Sequence, residues 1–296
     1  MSARRALRTL LDDDELTQVP SVYDGLTARL AEDAGFPAVS VTGNGISASV
    51  LGRPDLGLVS LAESVAVARN LAFAVQIPII FDADTGYGNA VNVTRTTREM
   101  ERAGVAAIKL EDQVTPKRCG VLDVPIPVVE EREFLGKIEA AVWAREDPDF
   151  VIVARTDAAS TLGAEAAAQR ARRAVELGAD AAMVVGVRDP EQIRRVVDVV
   201  KAPLIIIVEE RGPLAALSRA EIAALGFSVA VYPGLVRYSM VGAARRALAT
   251  LRRDGSTTAV RADMATADEW NTLLGMDEYV EIEQRFVRGD GVAASG

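Results

Sequence analysis

Eight short apolar runs, each followed by a stretch with helical spacing, recur between residues 18 and 253. The runs lie at 18–23, 37–43, 77–82, 105–112, 149–157, 180–187, 202–210 and 227–234. The segments that follow most of them, 26–35, 60–75, 89–104, 129–146, 163–178, 189–200, 218–225 and 237–253, carry apolar residues at helical intervals, several ending at glycine. Runs of this length, apolar throughout, read as strands buried on both faces, as in a parallel sheet covered by helices. Eight strand–helix units predict an α/β chain forming a (β/α)8 TIM-type barrel. An open doubly wound sheet is the alternative, but no GxGxxG phosphate loop follows the first strand. A short amphipathic helix over 4–16 precedes the barrel, 46–57 reads as loop, and a longer loop separates strand four from helix 129–146. The expected division is a barrel over 1–255 and a helical tail over 256–296, with one helix near 278–288.

In such a barrel the carboxyl ends of the strands form the active face. Charge gathers at those ends: Asp82 and Asp84, Glu111 and Asp112, Arg155 and Asp157, Arg188, Glu209 and Glu210. The most pointed stretch is IPIIFDADTGYGN, where strand three runs into two aspartates and a glycine-bracketed Tyr87. Strand alternation sends Asp82 and Asp84 to the same side. Side-by-side carboxylates repel and lose solvation, so they call for a cation or for donors between them. Hard oxygen ligands with room for water suit Mg2+, or Mn2+ in its place. The plainer reading is that both aspartates cap the next helix and bond their own backbone. Arg155, set within an apolar run, needs an anionic partner if it is buried.

Composition removes several classes of function. There is no histidine, which excludes Ser-His-Asp and Cys-His catalysis and most zinc chemistry. Cys119 is the sole cysteine, so no internal disulfide forms, as suits a reducing cytoplasm. The net charge of −9 disfavours nucleic acid or an anionic membrane as partner. No apolar run reaches the ~18 residues of a membrane span, and the first residues lack a secretory core. A cytoplasmic protein acting on a small molecule is expected.

Read together, VTGNG, LGRPDLG, DADTGYGN, LEDQ, PKRCG and ARTDA, in that order, closely resemble the isocitrate lyase/phosphoenolpyruvate mutase superfamily, over about residues 18 to 250. Within it the chain is most similar to methylisocitrate lyases and carboxyphosphonoenolpyruvate phosphonomutase. The resemblance implies a Mg2+-dependent enzyme that makes or breaks the C2–C3 bond of a 2-hydroxy or 2-oxo acid through an enolate. It implies a homotetramer in which a terminal helix is swapped between subunits. Asp82 and Asp84 would hold the metal, with Glu111 and Asp55 beside it through water. Backbone N–H groups of Thr42, Gly43 and Asn44 would take the substrate carboxylate, with Arg155 binding the same unit and Tyr87 alongside. Cys119 would protonate the carbanion from a closing loop, its pKa lowered by Lys117 and Arg118.

The chain departs from that pattern at three places. Val121 stands where the lyases carry a histidine after KRCG, Val185 where they carry a strand-six glutamate, and Ile207 where they carry a strand-seven asparagine. An aliphatic wall cannot solvate a carboxylate, so the leaving half of the substrate is expected to be small, neutral or apolar. In addition, Ser40 stands where methylisocitrate-cleaving members often have a tyrosine, which leaves the base open between Tyr87 and Tyr232. The rival readings are an oxaloacetate decarboxylase-like enzyme, a phosphonomutase, and a non-catalytic barrel that binds a 2-oxo acid.

Overall fold

The computed structural model describes residues 1–118 and 125–287. Each apolar run contributes one strand: β1 Thr17–Val22, β2 Val39–Val41, β3 Ile79–Asp82, β4 Ala107–Glu111, β5 Val151–Thr156, β6 Ala181–Val184, β7 Ile205–Ile207 and β8 Val229–Tyr232. The helices are α1 Ala3–Asp12, α2 Gly25–Asp33, α3 Gly43–Ile46, α4 Leu61–Ala74, α5 Ala90–Ala103, α6 Glu131–Ala144, α7 Ala159–Leu162, α8 Ala164–Glu176, α9 Pro190–Val200, α10 Arg219–Ala223, α11 Leu235–Asp254, α12 Ala267–Leu273 and α13 Met276–Ile282. All strand pairs are parallel, in the order β6-β5-β4-β3-β2-β1-β8-β7. A parallel bridge from Ala182 to Leu204 joins the two ends of that order. The result is a nearly closed barrel of the expected TIM type.

Local signals set the helix ends. Ser60 and Glu63 form a capping box at α4, and Asn89 caps α5, which stops at Gly104 in the left-handed region (φ 99). The sequence reading of 46–57 as loop differs from the structure. Helix α3 starts at Gly43 directly after β2 and continues as a π-helical turn over Ser47–Leu51. Its glycines and serines carry weak helix propensity, so the helix owes its existence to burial of Gly43, Gly45, Ile46 and Ser47. The segment after residue 255 also holds more helix than expected: α12 as well as α13, which a π-helical turn extends over Glu283–Val287.

Strand alternation divides the barrel into an outer and an inner set. Ile79, Phe81, Ile108, Leu110, Ile152 and Ala154 pack outward with the helices. Their neighbours Ile80, Ala107, Val151, Val153, Ala181, Met183, Ile205, Val229 and Val231 pack together inside, and Leu7 and Leu11 of α1 join that cluster. Climbing each strand by two residues therefore leads from an apolar interior to the carboxyl-end face. That step reaches Asp82 from Ile80, Arg155 from Val153, Val185 from Met183 and Ile207 from Ile205, while β4 passes from Ala107 to Lys109 and then Glu111.

The chain divides into two compact units, Met1–Arg237 and Tyr238–Gly296. The second is helical and exposes Trp270, Tyr279 and Phe286. No helix among the described residues is long and apolar enough to cross a membrane.

Asp112, at the end of β4, ties the rim to β5. It accepts hydrogen bonds from Thr156 Oγ1 (2.6 Å), the Asp157 N–H (2.8 Å) and Arg170 Nε (3.1 Å). Asp112→Ala leaves the buried Arg170 cation without its carboxylate, and stability is expected to fall by about 3–5 kcal/mol. The urea unfolding midpoint checks this, with Asp112→Asn expected to lose less.

Candidate active site

The polar half of the carboxyl-end face is built by β2, β3, β4 and β5. Register places Asp82 opposite Lys109 and Glu111 opposite Arg155, so four charged side chains enter one space. Strand alternation does not carry Asp84 there. β3 ends at Asp82, and Asp84 sits in a turn with positive φ (49°), which aspartate tolerates better than most residues. The two aspartates do converge, but a turn brings them together.

Gly43 shows how tight that convergence is. Its N–H points at Asp82 Oδ2 from 3.4 Å. A Cβ at this position would lie 2.8 Å from Lys117 Nζ, 3.1 Å from Asp84 Oδ1 and 3.3 Å from Asp55 Oδ2. Only glycine lets the β2–α3 turn come this close to three charged groups. Thr42 is buried at the same turn, and Asn44 is half-buried on α3.

Lys117 was expected beside Cys119 as a group that lowers the thiol pKa. The structure instead buries it, with Nζ 3.0 Å from Asp55 Oδ2 and 2.5 Å from Asp84 Oδ1. Arg118 is exposed, its N–H donating to Gln113 Oε1 at 2.8 Å. Cys119 and Val121 lie outside the described residues.

Arg155 is clamped by Asp157 through two hydrogen bonds of 2.9 Å, from Nε and Nη2. Its Nη1 lies 3.1 Å from Glu111 Oε2 and 3.8 Å from Asp82 Oδ2. The Glu111 contact is ionic without hydrogen-bond geometry: both Glu111 oxygens and Asp82 Oδ1 are buried and receive no hydrogen bond among the described residues.

These neighbours push the carboxyl groups apart. Burial works to raise Asp82, but Lys109, Lys117 and Arg155 outweigh it and hold that carboxyl well below the usual range. Burial pushes Asp84 up to about 6, with Asp82 and Asp55 adding and Lys117 opposing. Glu111 is likewise driven well up by burial, against the pull of Arg155 and Lys117. Burial disfavours the Lys117 cation, yet the surrounding carboxylates raise its pKa well above normal.

The tyrosines are engaged. Tyr87, with positive φ (60°), donates to Ser64 Oγ at 2.7 Å, and burial and Asp84 raise its pKa well above 10, which suits a donor better than a base. Tyr232 accepts from Gln18 Nε2 at 2.7 Å. The residue that sequence reasoning passed over is Lys109. Its Nζ donates to Ser40 Oγ (3.0 Å) and the Val41 carbonyl (3.1 Å), and burial lowers its pKa. The signal was present: a lysine inside the apolar run VAAIKLED, two residues before Glu111.

The other half of the face is different. Val185 and Ile207 line a cavity of about 360 Å3 together with Ile126, Val184, Ile206 and Leu214, and Asp157 and Arg188 also border it. Asp157 thus stands between the polar cluster and the apolar hollow.

This barrel, with carboxylates and a clamped arginine at its carboxyl ends, defines an enzyme-type site on a (β/α)8 fold. The family described as phosphoenolpyruvate phosphomutase matches residues 7–252. The 2,3-dimethylmalate lyase of Eubacterium barkeri is 40% identical over 289 residues, covering 98% of this chain and 100% of that one. The solved structure of oxaloacetate acetylhydrolase with 3,3-difluorooxalacetate superposes with a TM-score of 0.90 at 35% identity, covering 99% of each chain. Phosphonopyruvate hydrolase in complex with oxalate and Mg2+ superposes at 0.87 with 35% identity, over 97% of this chain and 100% of that one. The chain belongs to the isocitrate lyase/phosphoenolpyruvate mutase superfamily.

Lys117→Met removes the cation shared by Asp55 and Asp84. The metal-free protein is expected to lose about 3 kcal/mol or more. A carboxyl whose folded pKa is raised costs stability above its unfolded pKa, and the cost fades as pH falls. Lowering pH from about 7 to about 5 should therefore return part of the loss as Asp84 protonates. Thermal unfolding at the two pH values checks both statements.

Proposed function

We propose that this protein is a Mg2+-dependent carbon–carbon lyase that cleaves, or in reverse forms, the C2–C3 bond of a 2-hydroxy acid through an enolate. The observation that carries the reading is the set of buried carboxylate oxygens without donors, on Asp82 and Glu111, beside a clamped Arg155. Such oxygens are costly unless a cation or donors meet them. Among the described residues no three acidic, histidine or cysteine side chains form a closed ligand group. The donors present fit an ion held by one or two carboxylates and completed by water and substrate, which is the habit of Mg2+. Asp82 and Asp84 would hold it, with Glu111 and Asp55 acting through water. When bound, it would stabilise negative charge on the C2 oxygen and the adjacent carboxylate.

The chain's own groups account for the rest. The Gly43 N–H, which points at Asp82 Oδ2, opens into the same space and would serve the substrate carboxylate with its neighbours Thr42 and Asn44, and Arg155 is held rigid by Asp157 before substrate arrives. Electrons from the breaking C2–C3 bond pass to C3, where a proton must be delivered; Cys119 is the group proposed for that. The aliphatic wall of Val185 and Ile207 supports a leaving half without the full carboxylate set of methylisocitrate. The similarity to a dimethylmalate lyase supports the same substrate type, whereas the solved oxaloacetate enzyme keeps a hydrolase or decarboxylase as the second reading. Assembly as a homotetramer in the cytoplasm belongs to this proposal.

Turnover with Mg2+ on 2,3-dimethylmalate, 2-methylisocitrate and oxaloacetate, with pyruvate, glyoxylate and CO2 as readouts, tests it. Cleavage of the malate should stop with EDTA and with Asp82→Asn. Arg155→Lys, which cannot reproduce a planar two-point clamp, should lower kcat/KM by about 100-fold or more. Cys119→Ser should abolish lyase turnover; CO2 release that survives it would favour the decarboxylase.

A further inference from the structure

The cavity bordered by Asp157, the partner of Arg155, has room for more than a methyl group. Its volume of about 360 Å3 equals roughly a dozen waters, more space than a methyl group occupies. Its walls come from the carboxyl ends of β6 and β7 and the segments after them: Val184, Val185, Ile206, Ile207 and Leu214. The polar groups at its edge are nearly all spent. Both Asp157 oxygens are taken by Arg155, and Ser160 Oγ donates to the Asp157 carbonyl (3.3 Å) while accepting from the Ile126 N–H (3.4 Å). Two exposed charges remain at the edge, Arg188 and Glu209. Among the described residues Arg188 makes no ion pair and is the only cation lining the cavity.

We infer that this cavity receives an aliphatic chain carried on C3, so that the substrates are 3-alkylmalates, with or without a methyl at C2, whose chain is longer than methyl. The inference rests on the lyase reading above. The polar cluster takes C1 and C2, Arg188 is the cation for the C4 carboxylate, and the chain lies against Val185, Ile207 and Leu214. A second distal carboxylate, as in methylisocitrate, would meet Glu209 and an aliphatic wall with no further cation. The reaction balances without a co-reactant. The C2 hydroxyl loses its proton as C2–C3 breaks, the bond pair stays on C3 as the enolate of the C4 carboxylate, and C3 takes up one proton. The products are glyoxylate or pyruvate and a straight-chain alkanoate.

The test uses the full-length protein with Mg2+ and 3-alkyl-2-methylmalates in which the alkyl group runs from methyl to pentyl. Calorimetry gives the Kd for each, and chromatography reads the alkanoate. Burying each added methylene should tighten binding about two- to fourfold. Val185→Asn and Leu214→Trp, which alter the wall in independent ways, should each flatten that trend. Affinity that is level or declining from methyl to pentyl would overturn the inference. Alkanoate from the methyl compound alone would leave the lyase reading standing and remove the chain site. Tighter binding of the longer compounds without alkanoate from any would keep the chain site and remove the lyase reading.

Discussion

A guanidinium held at the end of a barrel strand can persist only where carboxylates surround it, and Arg155 is such a group. Asp157 grips it at two points, Glu111 lies against its far side, and Asp82 stands within ionic reach. Asp157 in turn donates its own N–H to Asp112, which is bound by Arg170 from α8. The chain of contacts runs from an outer helix through the rim of β4 and β5 to the charged cluster. Buried ion pairs contribute little net stability, but a broken one is costly, so the network fixes position more than it adds free energy. Catalysis needs that fixity, because a preorganised donor does not have to reorganise when charge develops.

The same arginine marks the border between two environments. On the β2–β5 side lie Gly43, Asp82, Asp84, Glu111 and Lys117; on the β6–β7 side lie Val185 and Ile207. The first side is crowded with charge, and the second is largely aliphatic with Arg188 as its one lining cation among the described residues. The division also bears on proton chemistry. Burial raises both Asp84 and Glu111, whereas Lys109, Lys117 and Arg155 hold Asp82 ionised.

Much of this was legible beforehand. The eight apolar runs became the eight strands, and the charged residues at their ends became the rim. Asn89 and Gly104 marked the ends of α5 where their residue types imply. The misses have physical causes. The stretch after Gly43 lacks helix propensity, and tertiary burial overrode that weak local preference. Lys117 reads as a neighbour of Cys119 in a polar loop, and nothing local tells that Asp55, 62 positions earlier, waits for it. Lys109 was hidden by the strength of the surrounding apolar signal. Asp84 arrived at its predicted place by a left-handed turn instead of by strand alternation.

The sequence by itself determined the repeat of strand and helix, the parallel barrel that follows from it, and the residue types at each strand end. Those depend on periodicity among near neighbours, which a linear reading captures. Only the tertiary structure decided which of those end residues touch. Lys109 meets Ser40 across 69 positions, and Arg155 meets Asp82 because β3, β4 and β5 lie side by side. Barrel closure and strand register set such distances, and with them the burial that shifts each pKa. The site's chemistry is thus written in residue types, while its electrostatics belong to the fold.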